Sequence, residues 1–171
     1  MNIAIFGDSF ANGETDGKQK LVHLGLTQYL TDDGHLVVNF SKQGNTNVGV
    51  TTDYPFHLRQ NEHLKFDKAL VFQTETTRET QEWIDNIKSG KSVNDVDVHM
   101  IKNDYGKLLE SQEYFGVPIY LIGGTVDTLS PEVIKECGLK SACQSVVNLV
   151  LTLIFLKISS NLFQIGEKFL N

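Results

Sequence analysis

Ile3-Ala4-Ile5-Phe6 runs straight into Gly7-Asp8-Ser9-Phe10 at the start of the chain. The apolar run reads as a buried strand, and the glycine permits the tight turn that ends it. A serine just after that turn projects from the carboxyl end of the strand. In open α/β sheets that end is where ligands bind.

Further strands follow at intervals. Leu36 to Phe40 reads as the second, Asp67 to Gln73 as the third, and Val117 to Gly124 as the fourth, with a glycine stop. Leu21 to Leu30 has the apolar spacing of a partly buried helix, and Asp32-Asp33-Gly34 reads as a turn. The region between the second and third strands, with His57 and His63, reads as loop. Asn94 to Phe115 reads as helix, and Ser130-Pro131-Glu132 as a helix start with serine as cap and proline at the first helical position. Trp83, Ile84 and Ile87 read as the packing face of another helix. Strands alternating with helices imply βαβ units and a parallel sheet covered on both faces. The expectation is one α/β domain over residues 1–171, with four or five parallel strands.

The chain has 171 residues, long enough to bury a real core. A net charge of −6 argues against a general binder of phosphate backbones, so no nucleic-acid partner is expected. Cys137 and Cys143 lack the additional ligands of a zinc pattern and read as reduced thiols. Asp95, Asp97 and His99 do not share one helical face, which removes them as a metal site. Gly7 and Gly13 lack the Gly-x-Gly-x-x-Gly spacing, and no phosphate-loop lysine motif occurs. Neither metal nor cofactor is implied. The N-terminus lacks the basic and long apolar regions of a signal peptide, and the reading is cytoplasmic.

The stretch from Val146 to Leu156 is the most apolar of the chain. It is shorter than the ~20 residues of a membrane span. A buried last element, a homo-oligomer surface and a membrane-contacting tail are the three readings, in that order of preference.

Gly7-Asp8-Ser9 after an N-terminal strand resembles the first block of the SGNH (GDSL-type) hydrolases. The resemblance implies a three-layer α/β/α, flavodoxin-like fold and a serine nucleophile acting on an ester or acetyl group. It makes Ser9 the nucleophile, with Asp8 bracing the turn. In that family the oxyanion is held by the serine's own N–H, a glycine N–H after the second strand, and an asparagine after the third. Gly44, in Ser41-Lys42-Gln43-Gly44-Asn45-Thr46-Asn47, matches the glycine. The family pattern Gly-x-Asn-Asp after the third strand is altered to Thr74-Glu75-Thr76-Thr77. Counting from Asp67 puts Thr76 on the asparagine and Thr74 on the glycine. A threonine hydroxyl can donate a hydrogen bond, so Thr76 is the expected third donor and Thr74 the fallback. Asn45, Thr74, Glu75 and Arg78 would line the substrate, with Arg78 suited to an anionic group. The plainer reading of Glu75 and Arg78 is a solvated ion pair.

The family's base is the histidine of a C-terminal Asp-x-x-His. The histidines here are His23, His35, His57, His63 and His99, and none follows the fourth strand. His57 and His63 are the substitutes to consider. Two functions therefore stand side by side: an esterase or deacetylase acting on a small-molecule or glycan ester, and a catalytically degenerate relative kept for binding, assembly or structure.

Overall fold

The computed structural model describes residues 1–15, 21–23, 25–74, 80–123 and 131–143. Five parallel strands form the sheet: β1 (Asn2–Phe6), β4 (Leu36–Asn39), β5 (Lys68–Gln73), β6 (Ile119–Gly123) and β7 (Lys140–Cys143). Their spatial order is β4-β1-β5-β6-β7. The first strand thus lies inside the sheet, between β4 and β5. β2 (Glu14–Thr15) and β3 (Leu21–His23) make a small separate antiparallel pair. The helices are α1 (Ser9–Asn12), α2 (Leu26–Asp32), α3 (Asn47–Gln60), α4 (Thr80–Lys88), α5 (Val93–Phe115) and α6 (Pro131–Glu136).

Alternation along the inner strands sorts side chains to two faces. On one face Ala4, Phe6, Ala69, Val71, Ile119 and Leu121 pack with Val50, Tyr54 and Leu58 of α3, Ile101, Tyr105 and Leu108 of α5, and Ile134 of α6. On the other, Ile3, Ile5, Phe72 and Ile122 pack with Ala11 of α1 and with Leu26 and Leu30 of α2. Helices on both faces of a parallel sheet make the expected three layers, α/β/α, with the flavodoxin-like strand order.

Two expectations need correction. Leu21 to Leu30 is not one helix, because Gly25, at φ 54°, divides it into β3 and α2. The segment after the second strand is not a loop but the 14-residue helix α3. Gly49, the β-branched run Val50-Thr51-Thr52 and Pro55 hide it, since each lowers helix propensity. Tertiary packing overrides them: Tyr54 is fully buried and donates its hydroxyl to the Val117 carbonyl oxygen at 3.0 Å. The fifth strand, β7, is short and polar and offers no apolar run to read. The apolar stretch 146–156 and the cap residue Ser130 lie outside the described residues. Among the described residues no helix is long and apolar enough to cross a membrane.

A candidate active site at the carboxyl ends of the first strands

β1 is flanked by β4 on one side and β5 on the other, so the chain reverses its direction of progress across the sheet at β1. A crevice opens at the carboxyl ends of strands at such a reversal. Three chain segments meet there: those following β1, β4 and β5.

The first is Gly7-Asp8-Ser9. A methyl group on Gly7 would stand 2.7 Å from Phe72 Cβ and 2.8 Å from Ala11 Cβ. Only glycine fits between strand and helix there. Asp8 is fully buried, and its carbonyl oxygen accepts the N–H groups of Ala11 and Asn12, each at 3.2 Å. Ser9 is the first residue of α1 and is half-buried.

The second segment is tied to the first. Phe40 N–H donates to Ile5 carbonyl at 2.8 Å and Lys42 N–H to Gly7 carbonyl at 3.1 Å, continuing the pairing of β4 with β1 past the strand. Asn39 Nδ2 reaches across to the Ala11 carbonyl at 2.7 Å and Thr27 Oγ1 at 2.9 Å. That bond holds the end of α1 against β4. Gly44 lies in an exposed turn at φ 70°, and a methyl group placed on it would meet no atom within 4 Å. Asn45 is a strut: its Nδ2 donates to Gly7 carbonyl at 3.4 Å and to Asp53 Oδ2 at 3.1 Å. Asp53 also takes Lys42 Nζ at 2.6 Å. Thr46 caps α3, accepting the Gly49 N–H at 3.0 Å on its hydroxyl oxygen.

The third segment begins at Thr74, fully buried just past β5. Its N–H and hydroxyl both donate to Asn47 Oδ1, at 2.7 and 3.1 Å, and Asn47 Nδ2 donates to its carbonyl at 3.0 Å. The preceding residue, Gln73, is also buried and accepts the Tyr105 hydroxyl. Glu75, Thr76 and Arg78 lie outside the described residues. Asn47 is not among the residues the sequence singles out. Its only signal is an amide side chain opening a helix beside a turn, a pattern shared by many surface residues.

The histidines are dispersed. His63 belongs to a 3-10 turn, Glu62–Leu64, that packs at the amino ends of the strands, where Asn2 Nδ2 donates to Leu64 carbonyl. His35 directly precedes β4 at that same edge. A five-residue strand separates this edge from Ser9, about 16 Å of rise. His99 is exposed on α5. His57 lies on α3 with its ring stacked on Phe40 at 4.5 Å and 5.1 Å from Phe56. It sits on the α3 side of the sheet, near Phe6, whereas α1 packs Ala11 on the other side. Burial lowers the His57 pKa below its usual value; Asp53 opposes this and Lys42 adds to it. Among the described residues, no group of three or more His, Cys, Asp or Glu side chains is placed to hold a metal ion.

No family model matches the chain, and no curated protein matches it. Solved structures do. AlinE4, an SGNH-hydrolase family esterase, is 18% identical, with 82% of this chain aligned to 74% of that one at a TM-score of 0.51. A variant of the same esterase gives 0.53 at 17% identity over the same shares. The lipase Lip_vut3 from a goat rumen metagenome is 17% identical, with 85% of this chain aligned to 78% of that one at a TM-score of 0.50. The fold is that of the SGNH hydrolases.

Proposed function

We propose that the chain is an SGNH-type acyl hydrolase with Ser9 as its nucleophile, acting on a small-molecule or glycan ester. The observation that carries this reading is the place of Ser9: first residue of a helix, directly after an inner strand, at the point where the sheet reverses. Its substrate side is bounded by the segment after β4, which hydrogen bonds to Gly7 hold in place.

In the proposed reaction the Ser9 hydroxyl attacks the acyl carbon and its oxygen forms the new bond. The carbonyl oxygen gains the negative charge. Ser9 N–H, Gly44 N–H and the Thr76 hydroxyl receive it, and donors placed in advance are worth more than donors that must reorganise. The alcohol then leaves, and water releases the acid from Ser9. Asn45 serves by holding the Gly44 turn to Gly7, since its amide already bonds within the protein. Glu75 and Arg78 are the candidates for contacts to the rest of the substrate.

The proton of Ser9 needs an acceptor. No histidine follows His99 in the chain, and His35, His57 and His63 are set away from Ser9. A general base contributes about 10²–10⁴ in rate, so turnover is expected to be slow unless His23, a second chain or a carboxylate supplies one. The same observation favours the second reading, a degenerate SGNH-like protein with a binding, assembly or structural role.

One pair of measurements separates them. Hydrolysis of a short-chain aryl ester and labelling by a fluorophosphonate probe are followed in the wild type and in Ser9→Ala. The hydrolase reading expects wild-type labelling and turnover, both lost in the variant. Equal rates in the two proteins, with no labelling of either, would establish the second reading.

A further inference from the structure

We infer that the free edge of β4 is a dimer interface, where β4 of a second copy of this chain pairs antiparallel across a two-fold axis through Val38. β4 closes the sheet on one side and, among the described residues, pairs with β1 alone. The inference is independent of the hydrolase reading above.

The backbone of this segment alternates. Leu36, Phe40 and Lys42 donate their N–H groups inward, to the carbonyls of Met1, Ile5 and Gly7 at 2.9, 2.8 and 3.1 Å. Alternate residues of a strand turn N–H and carbonyl to the same neighbour, so Val37 and Asn39 turn theirs outward. Among the described residues neither outward N–H has an acceptor. The open run stops at both ends. His35 N–H donates to the Leu30 carbonyl at 3.1 Å, and Ser41 N–H to Asn39 Oδ1 at 2.9 Å. Proteins blunt such edges with lysine, proline or a bulge. The opposite edge follows that rule: β7 carries Lys140, and its pairing with β6 shifts register. From His35 to Ser41 there is no proline and no Asp, Glu, Lys or Arg, and the register of β4 with β1 is unbroken.

The edge is complementary to itself. With the axis at Val38, Val37 and Asn39 of one copy face Asn39 and Val37 of the other, and all four outward N–H groups find carbonyls. On the α3 face Val38 meets Val38 of the second copy, and Leu36, 50% exposed, meets its Phe40. Moving the register by two residues sets Leu36 against Lys42, or Phe40 against Gly34, and loses that apolar pair. Charge fits as well. A chain of net charge −6 meets its own copy only where like charges stay apart. The paired segment is uncharged. Just beyond it Lys42, which binds Asp53 and keeps its side chain 55% exposed, falls opposite the exposed turn Asp32-Asp33-Gly34 of the second copy. The two-fold axis repeats this match at the other end. Two five-stranded sheets thus join into one, and each covers the other's open edge.

The test follows molar mass by light scattering over a dilution series, with amide hydrogen exchange at Val37 and Asn39, in wild type and in Leu36→Lys. Lysine is common on open edges, and here it sets a charge against Phe40 of the second copy. The expectation is a wild-type dimer that dissociates on dilution and a Leu36→Lys monomer. In the dimer the Val37 and Asn39 amides should exchange about tenfold more slowly or better, while Ala69 in mid-β5 is unchanged. Val38→Cys reads the register. Residues facing each other in a non-hydrogen-bonded pair have Cα atoms about 4.5 Å apart, within disulfide reach. Mild oxidation should give a covalent dimer joined at the two substituted positions, identified by peptide mass because Cys137 and Cys143 remain. A wild type that stays monomeric throughout overturns the inference. So does a dimer whose Val37 and Asn39 amides exchange as fast as in the monomer, or one in which Val38→Cys forms no such bond. Should Leu36→Lys fail to fold, exchange over the wild-type dilution series decides in its place.

Discussion

At Gly7 a single missing methyl group sets how closely β1, β5 and α1 approach. With Phe72 Cβ and Ala11 Cβ at 2.7 and 2.8 Å from the added carbon, Gly7→Ala must push strand and helix apart. Overpacking of this kind costs about 1–3 kcal/mol, and urea denaturation of the variant should show a loss in that range. Glycine at this place was legible as a turn former; the crowding that demands it was not, because Phe72 is a distant residue in the chain. His57 behaves differently in the fold than as a loop residue. Burial against Phe40 lowers its pKa, so the unfolded chain, titrating near 6.5, binds a proton more readily than the folded one. Stability from this group is complete above that value and falls as the pH drops through the lowered folded pKa. His57→Phe should flatten that part of the stability profile, measured by denaturant titration across pH 4–7 in about half-unit steps. A variant whose acid limb matches the wild type would assign the pH dependence to other groups.

Among the elements, the strands with continuous apolar runs were readable to within two residues, since buried parallel strands carry their signal locally. β7 was not, because Lys140-Ser141-Ala142-Cys143 owes its strand form to pairing with β6. α3 was hidden for the converse reason: its composition disfavours helix, and its capping and packing supply what propensity lacks. Thr46 is therefore a sensitive position. Thr46→Ala removes the bond to Gly49 N–H and should cost about 1 kcal/mol, read by urea denaturation. Asp8, Ser9, Gly44 and Thr74 could be placed just past β1, β4 and β5 because short motifs carry them. The partnership of Asn47 with Thr74 spans a helix, a 3-10 turn and a strand, and no local pattern encodes it.

At the scale of the whole molecule, the charge of −6 and the three-layer packing leave the stretch Val146–Leu156 as the main surface question. Eleven mostly apolar positions in water would exceed the patch that monomers usually carry. Burial in the core or against a second copy is the expectation. Leu153→Asp and Phe155→Asp, sized by light scattering, distinguish the two: a folded monomer from a parent oligomer marks an interface, and an unfolded chain marks the core. A folded variant of unchanged mass and stability would show that the segment was exposed.

The interior place of β1 also bears on synthesis. β1 is made before both strands it pairs with, and the second of them, β5, ends at Gln73. A ribosome adds about 5–20 residues each second, so β1 waits roughly 3–14 seconds for β5 to be made. Through that interval Ile3, Ala4, Ile5 and Phe6 have no complete sheet to enter. The nascent chain must keep them from neighbouring polypeptides, and folding factors that cover apolar segments would act on these residues before β5 emerges.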